Sequence, residues 1–232
     1  MDYWPTSLSD LQRALLDGLA GRASFYLTGG AALSAFFLHH RRSLDLDLFV
    51  TDAAALDELE ALLQAECDAR GWTAEELRRY PGHRRYLVRG DGEETIVDLV
   101  HEPVAQIVAP DEKPRHANLT VDDLDDLVAN KLCALLGRGD IKDLVDLYYL
   151  SESGVDVLAY LDAARRKDGG MEATTLAYVL RGMRTDPASL LLFEPLSPEV
   201  LAAFRDRLVT RLLRLAWPGD PPRAAGAARG GA

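Results

Sequence analysis

Thr28-Gly29-Gly30 and, fifteen positions after the second glycine, Asp45 within Leu44-Asp45-Leu46-Asp47-Leu48-Phe49-Val50 are the stretches that decide how this chain reads. Phe25-Tyr26-Leu27 has the apolar character of a short buried strand, and Ala31 to His39 forms a helical run rich in Ala, Leu and Phe. The glycines therefore fall at a strand-to-helix turn. Glycine adopts positive φ and has no Cβ, so a ligand can come close to the backbone there. The start of the following helix offers free N–H groups and a partial positive charge suited to phosphate. A turn that merely needs glycine leaves the same local signature, and the spacing fits neither a Walker loop nor a dinucleotide fingerprint.

The second stretch narrows the reading. Its period of two sends Asp45 and Asp47 to one face of a strand and the leucines to the other. Same-face neighbours on a strand lie roughly 6.6–7 Å apart. Carboxylates that close repel each other, and burial raises the cost unless a cation neutralises them. Mg²⁺ (or Mn²⁺) suits such a site, because Mg²⁺ prefers carboxylate oxygens and keeps positions open for substrate phosphates. An exposed edge strand with solvated aspartates is the bland alternative, although aspartate is depleted in strands.

Composition frames these motifs. The chain has 232 residues, 48% of them hydrophobic and 27% charged, which suits one large soluble domain or two small lobes. Cys67 and Cys133 lack metal-ligand spacing, fall in helical patterns and fit thiols of a reducing compartment. Met1 to Pro5 carries no signal-peptide pattern and no apolar run is long enough to span a bilayer, so the expected location is the cytoplasm, with no membrane partner. A net charge of -11 disfavours an extended nucleic-acid surface. The basic clusters Arg41-Arg42, Arg78-Arg79 with Arg84-Arg85, and Arg165-Arg166-Lys167 allow only local contact with a polynucleotide. The balance points to a small nucleotide plus metal.

Along the chain, Ser7 or Ser9 caps a first helix that runs to about Ala20, and Asp52 caps another that Gly71 ends. Tyr86 to Arg89, the Gly90-Asp91-Gly92 turn and Thr95 to Val100 read as a hairpin. From Thr120 the pattern is helical almost to Trp217, and the tail from Pro218 reads as flexible. There is no internal repeat. The resulting division is 1–118 as an α/β core, 119–217 as a helical region completing a cleft, and 218–232 as tail.

Three further groups carry candidate chemistry. Asp98, on the second hairpin strand, is either a third carboxylate of the same site or a strand-end aspartate facing water. Thr120 with Asp123 resembles a capping box for a helix whose apolar stripe is Leu124, Leu127, Val128, Leu132 and Leu135. Lys131 falls on that stripe, and its ammonium either snorkels to an edge or projects into a cleft lined by aspartates. Asp143 and Asp146, flanked by Arg138 and Lys142, share a helix face and fit an i,i+4 surface ion-pair array equally well.

Taken together, Gly29-Gly30 followed by His40-Arg41-Arg42-Ser43-Leu44-Asp45-Leu46-Asp47-Leu48-Phe49 resembles the "GG … HRxSxDxDxF" signature of the AbiEii/AbiGii nucleotidyltransferase toxins. Lys131-Leu132, Arg138, Lys142-Asp143 and Asp146 resemble that family's downstream "KL … RxxxKDxxD" segment. The resemblance spans Phe25 to Tyr149. It implies an α+β, polymerase-β-like nucleotidyltransferase fold with a helical C-terminal region, Mg²⁺, and a nucleoside triphosphate donor. It also implies the toxin of a toxin–antitoxin pair, with tRNA or a protein as acceptor and an antitoxin protein as partner.

On this reading Asp45 and Asp47 hold the metal, and Thr28, Gly29 and Gly30 cradle the distal phosphates. Lys131 neutralises departing pyrophosphate. Asp98 or Asp143 accepts the acceptor's proton or completes the metal shell. Ser43, Arg138 and Lys142 join the nucleotide-binding set, and spacing assigns no role to Arg41 or Asp146. The alternatives are a non-catalytic nucleotide- or partner-binding module of the same fold, or a small-molecule nucleotidyltransferase.

Overall fold

The computed structural model describes residues 6–218. The first helix, α1 (Asp10–Leu19), starts at Ser9, whose hydroxyl accepts from Gln12 N while the Gln12 side chain accepts from Ser9 N. Gln12 also donates to Ser43 O and Thr95 Oγ1, at 3.1 and 3.0 Å. One buried side chain thus caps a helix and fixes the chain just ahead of the aspartate strand.

Strand β1 (Tyr26–Thr28) enters a four-residue α-turn, α2 (Gly29–Ala32), which continues as a π-helix over Leu33–Leu38. The aspartate strand is β2 (Asp45–Val50), and α3 (Ala53–Arg70) follows, capped by Asp52 and ended by Gly71. Next come β3 (Thr73–Tyr80), β4 (His83–Gly90) and β5 (Glu93–His101). The Asp91-Gly92 turn has both φ angles positive, as a two-residue hairpin with the strands' own twist requires. The hairpin therefore begins earlier than Tyr86, and β3 is a strand the sequence reading did not include. It is exposed on both faces, so no apolar alternation marks it. The turn residues Pro81-Gly82, with Gly82 at φ 75°, are its local signal.

The five strands form one mixed sheet in the order β1-β2-β5-β4-β3, in which only the β2–β5 pair is parallel. Leu46, Leu48, Val50, Val97 and Leu99 make one buried face, against which α1 and α3 pack. The opposite face carries Asp45, Asp47 and Asp98. This α+β architecture agrees with the fold expected from sequence.

A short ribbon, β6 (Arg115–His116) with β7 (Leu119–Thr120), leads into α4 (Leu124–Arg138). Its cap is Asp123, which accepts from Asp126 N, while Thr120 belongs to β7, so the expected capping box does not form. Then follow α5 (Ile141–Glu152), a 3₁₀ turn (Val157–Tyr160), α6 (Leu161–Lys167), α7 (Ala173–Gly182) and α8 (Pro198–Ala216). The helical run is interrupted at 183–197, where Pro187 and Pro195 oppose helix and the segment pairs instead with the chain ahead of β2. The expected tail lies, from residue 219 onward, outside the described residues.

Candidate active site

The parallel register sets Asp47 beside Asp98 and Asp45 beside Ile96, so three carboxylates meet on one sheet face. Thr28 stands opposite Asp47 across the antiparallel β1–β2 pair. Among the described residues no hydrogen bond or ion pair reaches the Asp47 carboxylate. Burial, then the neighbouring Asp98 and Asp45 charges, push its pKa up to about 6, with Lys131 and Lys142 only partly opposing them. Asp98 behaves differently. Burial alone would raise its pKa, but the Arg85 guanidinium donates to both oxygens at 2.8 Å and His83 Nε2 lies 2.7 Å from Oδ1, which holds it below the usual carboxylate range. Asp45 Oδ2 lies 3.4 Å from Lys142 Nζ.

The two glycines owe their identity to these side chains. Gly29 has φ 68°, and a Cβ there would lie 1.9 Å from Asp47 Oδ2. A Cβ on Gly30 would lie 2.5 Å from Arg41 Nη2. The turn is therefore needed by the fold as well as open to a ligand. The Thr28 hydroxyl is committed to Asp122 Oδ2 at 2.5 Å, which leaves its backbone for the cavity.

Lys131, expected either at an edge or projecting into a cleft lined by aspartates, borders the cavity with its ammonium held in a buried ionic network. Its ammonium lies 2.7 Å from Asp146 Oδ2 and 3.1 Å from Asp143 Oδ1. Asp146 also accepts from Arg41 Nε and Nη2, at 2.7 and 2.9 Å, and meets His40 Nε2 at 2.8 Å. Burial would discharge Lys131, but Asp146 and Asp143 keep it protonated. Burial lowers the His40 pKa, so a neutral ring donates its Nε2–H to Asp146. Asp146 stays far below its ordinary pKa against the cost of burial, because Lys131 and Arg41 flank it. Asp143 binds the Arg138 fork at 2.7 and 2.8 Å. Both aspartates are fully buried, which overturns the surface-array reading of this helix. An unpaired charge could not survive there.

A cavity of about 600 Å³ opens onto the carboxylate face, within the usual range for small-ligand sites. Of the eleven residues expected at the site, ten line it: Thr28, Gly29, Gly30, Ser43, Asp45, Asp47, Asp98, Lys131, Arg138 and Lys142. Asp143 does not. Seven basic side chains (Arg41, Arg42, Arg85, Lys131, Arg138, Lys142 and Lys167) face five acidic ones, so an acidic protein presents a basic cavity. Sequence reasoning missed Arg85 and the wall formed by Ser189 to Leu191. Arg42 N donates to Leu191 O at 2.9 Å, and Phe193 N donates to His40 O at 3.0 Å.

A second acidic group, Asp122, Asp123 and Asp126, converges within 4.8 Å. It already encloses a cation: Lys113 Nζ lies 2.6, 2.9 and 3.1 Å from the three carboxylates, and Lys167 Nζ lies 2.7 Å from Asp126. The donor chemistry for a divalent ion fits better at Asp45, Asp47 and Asp98, where one carboxylate lacks any counter-ion and a basic cavity adjoins.

Paired strand aspartates beside a glycine turn, a third carboxylate on the adjacent parallel strand and a basic cavity fit the chemistry of a nucleotidyltransferase. The family described as "Nucleotidyl transferase AbiEii toxin, Type IV TA system" matches residues 13–222, so the chain belongs to the AbiEii nucleotidyltransferase toxin family and is an enzyme of that class. The resemblance seen from Phe25 to Tyr149 thus extends over most of the chain. Among solved structures, JHP933 from Helicobacter pylori is similar at TM-score 0.56 and 18% identity, over 90% of this chain and 96% of that one. MenT4, a nucleotidyltransferase toxin from Mycobacterium tuberculosis, is similar at TM-score 0.59 and 18% identity, over 89% of this chain and 82% of that one. At these identities the likeness concerns the fold. No curated protein matches by sequence.

Proposed function

We propose that this protein transfers a nucleoside monophosphate from a nucleoside triphosphate to a hydroxyl of an RNA, such as tRNA, or of a protein. In this reading it acts in the cytoplasm as the toxin of a toxin–antitoxin pair. Among the described residues no helix is long and apolar enough to cross a membrane. The observation that carries the chemistry is Asp47, an unpartnered carboxylate between two others and facing a basic cavity. Asp45 and Asp47, with Asp98, would hold Mg²⁺ or Mn²⁺, which when bound would supply charge neutralisation for the triphosphate and polarisation of the α-phosphorus.

The chain's own residues supply the rest. The Gly29-Gly30 backbone and Ser43 receive phosphate oxygens, and Arg42, Arg138 and Lys142 reach them from the rim. The acceptor oxygen bonds to the α-phosphorus as the bond to the bridging oxygen breaks, and pyrophosphate leaves toward these cations. The hydroxyl proton passes to Asp98, which Arg85 and His83 hold ionised until the triphosphate binds. Asp143, off the cavity and saturated by Lys131 and Arg138, positions those two cations instead. The carboxylates come from residues 1–118, while Lys131, Arg138, Lys142 and Lys167 come from 119–217, which supports the division at that point.

Incubation with labelled nucleoside triphosphates, Mg²⁺ and total RNA or total protein tests the reading. Label in RNA or in protein supports it and names the acceptor class. Absence of label together with a Mg²⁺-dependent thermal shift by nucleotide would make the chain a binding module. Neither label nor shift would remove the nucleotide reading altogether.

A further inference from the structure

Two of the three strand carboxylates already have a cation. Arg85 stands opposite Asp98 in the β4–β5 register and occupies both its oxygens, and Lys142, in the first turn of α5, lies against Asp45. The charges of Asp45 and Asp47 act on Arg85 as well. Both basic side chains line the cavity, and they are 37% and 29% exposed. Their buried counterparts Lys131 and Arg41 are 5% exposed and locked by Asp146. Arg85 and Lys142 are therefore accessible enough to swing into the cavity once another cation replaces Arg85 at the buried Asp98, whereas Lys131 and Arg41 are locked in place.

A divalent ion arriving alone meets a single unpaired carboxylate and the repulsion of two cations. A triphosphate arriving with the ion changes this balance. Its oxygens offer Arg85 and Lys142 new anionic partners, and Asp98 and Asp45 are released to the ion with the number of ion pairs conserved.

We propose that Arg85 and Lys142 are exchangeable counter-ions of the catalytic carboxylates, so that the divalent ion enters with the triphosphate and not ahead of it. The proposal rests on the nucleotidyltransferase reading above and makes Arg85 a triphosphate-binding residue for that reaction. Mn²⁺ bound to the full chain, followed by electron paramagnetic resonance, measures it directly. Titrations use Mn²⁺ alone and Mn²⁺ with an equimolar mixture of the four nucleoside triphosphates bearing a methylene bridge between the α- and β-phosphorus.

Wild type binds Mn²⁺ weakly alone and at least about tenfold more tightly with the nucleotides, a factor that one lost ion-pair charge can supply. Arg85→Gln and Lys142→Gln each tighten Mn²⁺ binding without nucleotide by several-fold and shrink the nucleotide-dependent gain. Arg85→Lys, which keeps the charge, stays within about twofold of wild type. Thermal melts identify variants that fold. Equal Mn²⁺ affinity with and without nucleotide would overturn the inference while leaving the metal site standing. Unchanged or weaker Mn²⁺ binding in folded Arg85→Gln and Lys142→Gln would make the two residues structural clamps and would also overturn it. Failure to bind Mn²⁺ under either condition would instead remove the metal assignment itself.

Discussion

Replacing Asp47 with Asn removes a charge that burial and the neighbouring carboxylates destabilise, and the variant should be more stable than the parent in the absence of divalent metal. The Asp47 pKa rises from 3.8 to about 6, chiefly through burial and then through Asp98. At about 1.36 kcal/mol per unit, a shift of roughly two units corresponds to about 3 kcal/mol of destabilisation above the folded-state pKa. The residue keeps partial solvent contact along the cavity, and screening there reduces the effect to about 1–2 kcal/mol. For a chain of this size that is a rise in Tm of roughly 3–6 °C. A carboxyl whose pKa is raised on folding contributes no penalty below its unfolded value near 4 and the full penalty above about 6. Thermal denaturation of Asp47→Asn and wild type in EDTA, at about pH 8 and about pH 4, reads the difference. The gain appears at the higher pH and vanishes at the lower. An Asn variant that melts lower than wild type at about pH 8, or gains equally at both pH values, would mean that the ionised Asp47 does not destabilise the fold.

Asp146→Asn should cost about 3–5 kcal/mol, because Arg41 and Lys131 remain buried with too few anions. Asp146 has a depressed pKa, so its contribution exists above about pH 4 and fades as pH falls further; the variant's acid-unfolding limb should be flatter. Gly29→Ala meets both a φ of 68° and an Asp47 oxygen 1.9 Å away, so it should lose more stability than Gly71→Ala, which has φ 69° and open space. Chemical denaturation ranks the two, and only the Gly29 variant should lose nucleotide transfer. Lys113→Ala leaves Asp122, Asp123 and Asp126 short of a cation, and its Tm should rise with Ca²⁺ by more than that of wild type.

The parts of the site legible from sequence are those whose meaning is local. Asp45 and Asp47 alternate with leucines, so their common face follows from strand geometry alone, and Asp98 carries the same signature between Ile96 and Val100. What long-range register decides was hidden. Arg85 is an ordinary strand arginine until the β4–β5 pairing sets it against Asp98. Asp143 and Asp146 look like a solvated array because helical spacing cannot tell a surface from a core. The burial of Asp146 depends on Arg41 and His40, more than a hundred residues away, and that of Asp143 on the fork of Arg138 and on Lys131 from the preceding helix. The strand β3 escaped because exposure on both faces erases the hydrophobic period, and Thr120 passed for a cap because the β6–β7 ribbon is too short to leave one.

In the proposed reaction Asp45, with its neighbours, holds the metal that activates the triphosphate. The direct measurement is transfer of α-labelled nucleotide to total RNA or total protein with Mg²⁺, comparing wild type with Asp45→Ala. Asp45 is partly exposed, so the variant should melt close to wild type. It should transfer no label and should lose Mg²⁺-dependent nucleotide binding. Label transferred by a folded Asp45→Ala protein at the wild-type rate would remove Asp45 from the metal site.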